Sequence, residues 1–221
     1  MSSVCLTSDY SANNKRIRDL SYCNHSCYCE QHGYDLVEFK CPYNPHLNID
    51  RMLSLLDKYE FVVNIGTDVI IQKSEIGIPD LCKGPAVRYK KDGVLTSYPE
   101  GIIPPCVACK EYFGGVINGD FVILHKCPEV YEFLQWLKDN QERTYDSQSW
   151  LTKLYNEGSK WFGENPKIQI AAPSINKHKN FSEVNVSDYF SIHFHTLGIH
   201  PNVDTKYKGM TEFLEKHPEY T

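Results

Sequence analysis

Phe61-Val62-Val63-Asn64-Ile65-Gly66-Thr67-Asp68-Val69-Ile70-Ile71 is the stretch whose reading decides the fold. An apolar run stops at Gly-Thr-Asp, and a second, shorter run follows. Nearly unbroken Val/Ile character suits a strand covered on both faces, as in a parallel sheet, rather than one with a wet side. Ligands of open α/β sheets bind outside the carboxyl ends of such strands. Asp68 is therefore expected at the rim of a sheet, where a ligand or metal would be held. A strand-ending Asp also serves simply as a turn or cap residue, so the residues on either side must decide between the two readings.

Upstream, Val4-Cys5-Leu6-Thr7 reads as a first strand opening into the polar loop Ser8–Asn14. A helix follows over about Lys15–Gln31, with Ile17, Leu20, Cys23 and Cys27 at helical spacing toward the sheet. Gly33 suits its end, and Asp35–Phe39 reads as the second strand. Ile49, Met52, Leu53 and Leu56 mark a second helix that leads into the opening stretch. Strand, helix, strand, helix, strand is the doubly wound α/β pattern. The expected class is α/β: a Rossmann-like, mostly parallel central sheet flanked by helices, as one domain over residues 1–221.

Downstream, prolines break up residues 74–114. Gly114–Leu124 is a second strong strand signal, interrupted by Asn118-Gly119-Asp120. Val130, Phe133, Leu134 and Leu137 mark a helix, and Trp150, Leu151, Leu154 and Tyr155 another, after Asp146-Ser147-Gln148. Ile168–Ala171 and Tyr189–His195 read as late strands. Lys206 and Lys208 fall in a polar loop before a closing helix over Met210–His217.

The chain has 221 residues, 41% hydrophobic, with a formal net charge of -5. A mild acidic balance argues against a nucleic-acid partner. No apolar run approaches the ~20 residues of a membrane span, and Met1–Leu6 has no secretory pattern. The expectation is a soluble, cytoplasmic protein without a membrane span. Nine cysteines, an odd number, then read as free and mostly buried thiols. Cys106-Val107-Ala108-Cys109 on its own is a weak zinc signal, and a zinc-stabilised interaction domain is the least favoured reading.

His193 and His195 alternate, so both point the same way from a strand. A lone His is usually structural, but two on one face raise the odds of metal ligation, and imidazole with carboxylate suits Mn²⁺ or Zn²⁺. Lys206 and Lys208 follow, placed to neutralise a diphosphate or simply to be solvated. Asn118 and Asp120 put polar groups inside an apolar strand, which signals either a bulge or a function. Asp146 and Gln148 at a helix start either cap it or meet a substrate.

In this order the pieces resemble the GT-A glycosyltransferases. The likeness is to the galactosyl/xylosyltransferase-like branch and, more loosely, to the glycogenin-like families. Asn24-His25-Ser26-Cys27-Tyr28-Cys29-Glu30-Gln31-His32-Gly33-Tyr34 resembles that branch's Asn…Tyr-Ala-x-x-His-Gly-Tyr helix end. Val63–Ile71 is similar to its strand ending in Asp-x-Asp, and Asn118–Ile123 to its Asn-x-Gly-hydrophobic strand. Ser147-Gln148 falls where Asp-Gln is usual, and His193-Phe194-His195 with Gly198 is similar to its late metal segment.

The resemblance implies a UDP-sugar donor, a Mn²⁺ or Mg²⁺ ion, and a glycan or glycoprotein acceptor. It implies Asp68 and His193 or His195 as metal ligands, and Lys206 or Lys208 on the diphosphate. Thr7, Ser8, Asp9 and Tyr10 would meet the uridine, with Thr67, Asn118 and Gln148 among the donor-binding positions. The absence of a membrane anchor from the sequence resembles a bacterial or large-DNA-virus member, or one domain cut from a longer chain. Gly66 stands where the first Asp of Asp-x-Asp is usual, Asp120 where the branch has Gly, and Ser147 where it has Asp. An inverting transfer needs a base for the acceptor hydroxyl, and Asp120 and Asp146 are the candidates. The missing carboxylate at Gly66 motivates the alternative, a non-catalytic nucleotide- or glycan-binding module on the same fold.

Overall fold

A computed structural model describes residues 2–8, 15–38, 45–83, 88–91, 94–97, 103, 106–110, 117–140, 169–171, 174–176, 190–194 and 203–220; for several strand residues it describes the backbone only. The expected helix around Trp150 lies outside the described residues.

β3 (Phe61–Ile65) lies inside an eight-stranded sheet. On one side it pairs in parallel with β1 (Val4–Ser8), which pairs in parallel with β2 (Asp35–Glu38). On the other it pairs antiparallel with β8 (Ile117–His125). Beyond β8 come β7 (Cys106–Lys110), β9 (Gln169–Ala171), β5 (Arg88–Lys91) and β6 (Val94–Ser97). Only β8 and β5 run against the others, so the sheet is mostly parallel, as expected.

Successive side chains on these strands enter different cores, as a period of two requires. Cys5, Val62 and Leu124 pack under α2 (Pro45–Leu56) and α4 (Pro128–Asn140), through Ile49, Met52, Leu56, Val130, Phe133 and Leu134. Val4, Leu6, Phe61, Val63, Ile65, Phe121 and Ile123 face the other way. There they meet Tyr28 and Cys29 of α1 (Lys15–His32) and Ile78 and Leu81 of α3 (Ile78–Lys83). Both faces of β3 are thus dry, which is why its sequence does not alternate.

The short apolar run after Asp68 leaves this sheet. β4 (Val69–Ile71) pairs antiparallel with β11 (Ser191–His193), which pairs in parallel with β10 (Ser174–Asn176). This three-stranded sheet turns Ile70 and Ile192 toward a third core with Ile17, Phe194, Met210, Phe213 and Leu214. The last three belong to α5 (Val203–Lys216), followed by a 3-10 turn at Pro218–Tyr220.

Two expectations are corrected. α5 begins at Val203, not Met210, so Lys206 and Lys208 are helical. Its packed side chains Met210, Phe213 and Leu214 follow helical spacing, with Tyr207 packed against them. Asp204 in the first turn and Lys216 in the last suit the helix dipole, and the run of charges in the first turns hides this start. In α1, Cys23 and Cys27 are exposed. The buried stripe is Ile17, Ser21, Asn24, His25, Tyr28 and Cys29. Half of that stripe is polar, so counting apolar residues selects a neighbouring face.

Candidate functional site

Gly66-Thr67-Asp68 is the joint between the two sheets. β3 ends at Ile65, the Val69 N–H donates to the Gly66 carbonyl at 3.2 Å, and the chain enters β4 at once. The Asp68 carbonyl accepts the Phe194 N–H at 2.8 Å, which ties the joint to the end of β11. The Asp68 side chain is only 12% exposed, with His193 Nε2 at 3.3 Å from Oδ1. Lys206 Nζ donates directly to its other oxygen, Oδ2. His193 stands opposite Val69 across the small sheet, and Lys206 comes from the N-terminal part of α5.

Burial alone would raise the Asp68 pKa. The adjoining His193 imidazole and the Lys206 ammonium more than reverse this, and hold the carboxyl well below the usual range. Asp68 is therefore an ionised carboxylate in a nearly dry place. Such a group persists only when paired and hydrogen-bonded.

The joint is held from behind by the polar stripe of α1. Asn24 Nδ2 donates to the Ile71 carbonyl at 2.9 Å and to the Tyr220 carbonyl at 2.8 Å, while Oδ1 accepts the Ile71 N–H at 2.8 Å. His25 Nε2 donates to the Val69 carbonyl at 2.9 Å, which sets its tautomer. Tyr28 OH donates to Ile76 O at 2.8 Å, and His32 Nε2 to Ser74 O at 2.6 Å. Beyond the helix, Gly33 adopts φ +66°, and the Tyr34 hydroxyl accepts the Ile78 N–H at 3.1 Å. Four side chains from one face of α1 thus bond the backbone at residues 69, 71, 74 and 76. None of Asn24, His25, Tyr28 and His32 stands among the expected site residues. The signal was there, in polar residues at the spacing of a buried stripe.

The other expected site residues fall in four places. Thr7, Ser8 and Thr67 are buried at the carboxyl ends of β1 and β3. Thr7 Oγ1 donates to Val37 O at 3.0 Å, whereas Ser8 Oγ has no hydrogen-bond partner among the described residues. Asn118 and Asp120 lie in β8, where the backbone alone is described. Pairing with β7 jumps from Ala108↔Val122 to Cys109↔Asn118, so Gly119-Asp120-Phe121 is bulged out of that ladder and Asn118 is paired at its edge. The last pair with β3 is Ile65↔Phe121, so Asp120 is the residue of β8 just past the end of that ladder. Lys208 is exposed and pairs with Glu212 at 3.7 Å, since residues two apart on a helix diverge. Asp9, Tyr10, Asp146, Gln148 and His195 lie outside the described residues.

Asp68 and His193 fit a divalent cation. Neighbouring ligands about 2.1 Å from an octahedral ion stand roughly 3 Å apart, which the 3.3 Å between Oδ1 and Nε2 approaches. Among the described residues no group of three or more His, Cys, Asp or Glu converges.

No family model and no curated protein matches the chain. Solved structures do. A glycosyltransferase involved in glycosylation of the major capsid of PBCV-1 superposes with a TM-score of 0.62 at 13% identity, over 95% of this chain and 98% of that one. The chain has the GT-A fold. The apo-form glycosyltransferase GlyE of Streptococcus pneumoniae TIGR4 agrees, with a TM-score of 0.50 at 11% identity over 99% of this chain and 64% of that one. In this GT-A fold the Asp68 joint lies at the carboxyl end of β3, beside those of β1 and β2. None of the helices among the described residues is long and apolar enough to cross a membrane.

Proposed function

We propose that the chain is a metal-dependent glycosyltransferase that moves a sugar from a UDP-sugar to a glycan or glycoprotein acceptor, as one transferase domain over residues 1–221. One observation carries the reading: in a GT-A fold, an ionised, nearly buried Asp68 sits between His193 and Lys206 at the carboxyl edge of the sheet. Asp68 and His193 would hold Mn²⁺ or Mg²⁺, with His195 the alternative imidazole. The ion supplies Lewis acidity toward the departing diphosphate. Lys206, rather than the outward Lys208, is the cation for the diphosphate.

The nucleoside reading rests on Ser8. A buried hydroxyl without a partner is costly, and a ligand at the end of β1 would supply one. Thr7, Asp9, Tyr10, Thr67, Asn118 and Gln148 complete the proposed donor surface. Asp120, the residue just past the last pair of β8 with β3, is the preferred base, with Asp146 the alternative. We also place the protein in the cytoplasm, where exposed free thiols such as Cys23 and Cys27 stay reduced.

Calorimetry of UDP binding tests the reading. Binding should require Mn²⁺, weaken on chelation, and be lost in Asp68→Ala. A protein that ignores UDP at saturating Mn²⁺ would overturn it. Gly66 keeps a second reading alive, a binding module without turnover. Release of labelled sugar from UDP-sugar, by transfer or hydrolysis, separates the two.

A further inference from the structure

Lys206 does more in this geometry than wait for a phosphate. Its ammonium is bonded to Asp68 Oδ2, while His193 takes Oδ1. The proposed metal ligand is therefore already neutralised by a side chain of its own chain. Lys206 reaches Asp68 from a helix anchored by Met210, Phe213 and Leu214 in the third core, and its side chain is 17% exposed. The pair is thus shielded and held from both sides.

We propose that Lys206 is a placeholder cation: it competes with the divalent ion for Asp68, and gives way when a diphosphate offers the ammonium a new partner. The inference rests on the nucleotide-sugar reading. A divalent ion entering beside Lys206 would put an ammonium and a metal against one carboxylate in a place with little water. Like charges there repel strongly, because screening is weak. The doubly charged diphosphate of a UDP-sugar removes the excess, accepting both the metal and the ammonium. Metal and nucleotide then bind as a coupled pair, each raising the affinity of the other by the same factor. A metal alone is held poorly.

The same substitution should therefore move two affinities in opposite directions. In Lys206→Met, Mn²⁺ binding without nucleotide, read by calorimetry or by the spin signal of free Mn²⁺, should tighten about tenfold. UDP binding at saturating Mn²⁺ should weaken by about the same factor. Lys206→Gln should repeat the pattern if the Met variant folds poorly, and Lys206→Arg should keep metal-only binding near wild type. Metal-only affinity that is unchanged or lower in the neutral variants overturns the placeholder. Tighter metal binding without loss of UDP affinity overturns the hand-over. Failure of the underlying nucleotide reading would look different: wild type itself would not bind UDP at any Mn²⁺ concentration, while the metal-only comparison would still decide whether Lys206 competes.

Discussion

His25 has no exposed surface and hydrogen-bonds to the carbonyl of Val69, the residue after Asp68. Burial pushes its pKa down from 6.5 to about 4, against the smaller opposing effect of that hydrogen bond. Between those values the unfolded chain binds a proton that the folded one refuses. Stability from this site is therefore complete above about pH 6.5 and falls by about 1.4 kcal/mol per pH unit on the way down. In urea titrations His25→Gln should lose much of the difference between about pH 5 and pH 7 shown by the wild type. Asp68 acts at lower pH. Its depressed pKa adds stability that is present above the usual carboxylate pKa, about 3.9, and is lost as the pH falls through the folded value. Asp68→Asn would leave His193 and Lys206 without their carboxylate. A loss of about 3–5 kcal/mol near neutral pH is expected from denaturant unfolding.

At the scale of the element, α1 acts as a clamp on the backbone of residues 69–76. Asn24→Asp tests this with almost no change of shape. The carboxylate can still accept the Ile71 N–H, but it faces the Ile71 and Tyr220 carbonyls with no hydrogen to give. A loss of at least about 2 kcal/mol is expected in urea, with faster hydrogen exchange at the Ile71 amide. UDP affinity should fall as well, although Asn24 lies behind the joint. The elements themselves were largely legible. β3 announced its two dry faces by failing to alternate, and α2 announced its buried face by the helical spacing of Ile49, Met52 and Leu56. What misled was polarity. The buried stripe of α1 contains Ser21, Asn24 and His25, so the apolar count shifted onto Cys23 and Cys27. Charges in the first turns of α5 made a helix look like a loop. In both cases hydrogen bonds and ion pairs made over long sequence distances, which no local window contains, make burial of polar groups affordable.

For the whole molecule, the decisive event is that the chain changes sheets at Asp68. The order of strands and helices was readable, but the second sheet was not, because β4, β10 and β11 are three residues each. The site inherits this. Asp68 and His193 were both visible as candidates, yet Lys206 meets Asp68 only because α5 packs against the small sheet. The layered packing also sorts the thiols. Burial pushes Cys5, Cys29 and Cys82 up to about 12, so they should resist a disulfide reagent until the protein unfolds. Cys23 and Cys27 should react in the native state, and Cys23→Ser with Cys27→Ser should lower the amplitude of that fast phase by two thiols. The Asn24 clamp has one more consequence. Asn24-His25-Ser26 spells an acceptor for N-linked sugar, yet both amide hydrogens of Asn24 are donated to carbonyls and the side chain is sealed inside the protein. An oligosaccharide on Asn24 and this fold exclude one another: a chain decorated there before folding could not close α1 over the joint.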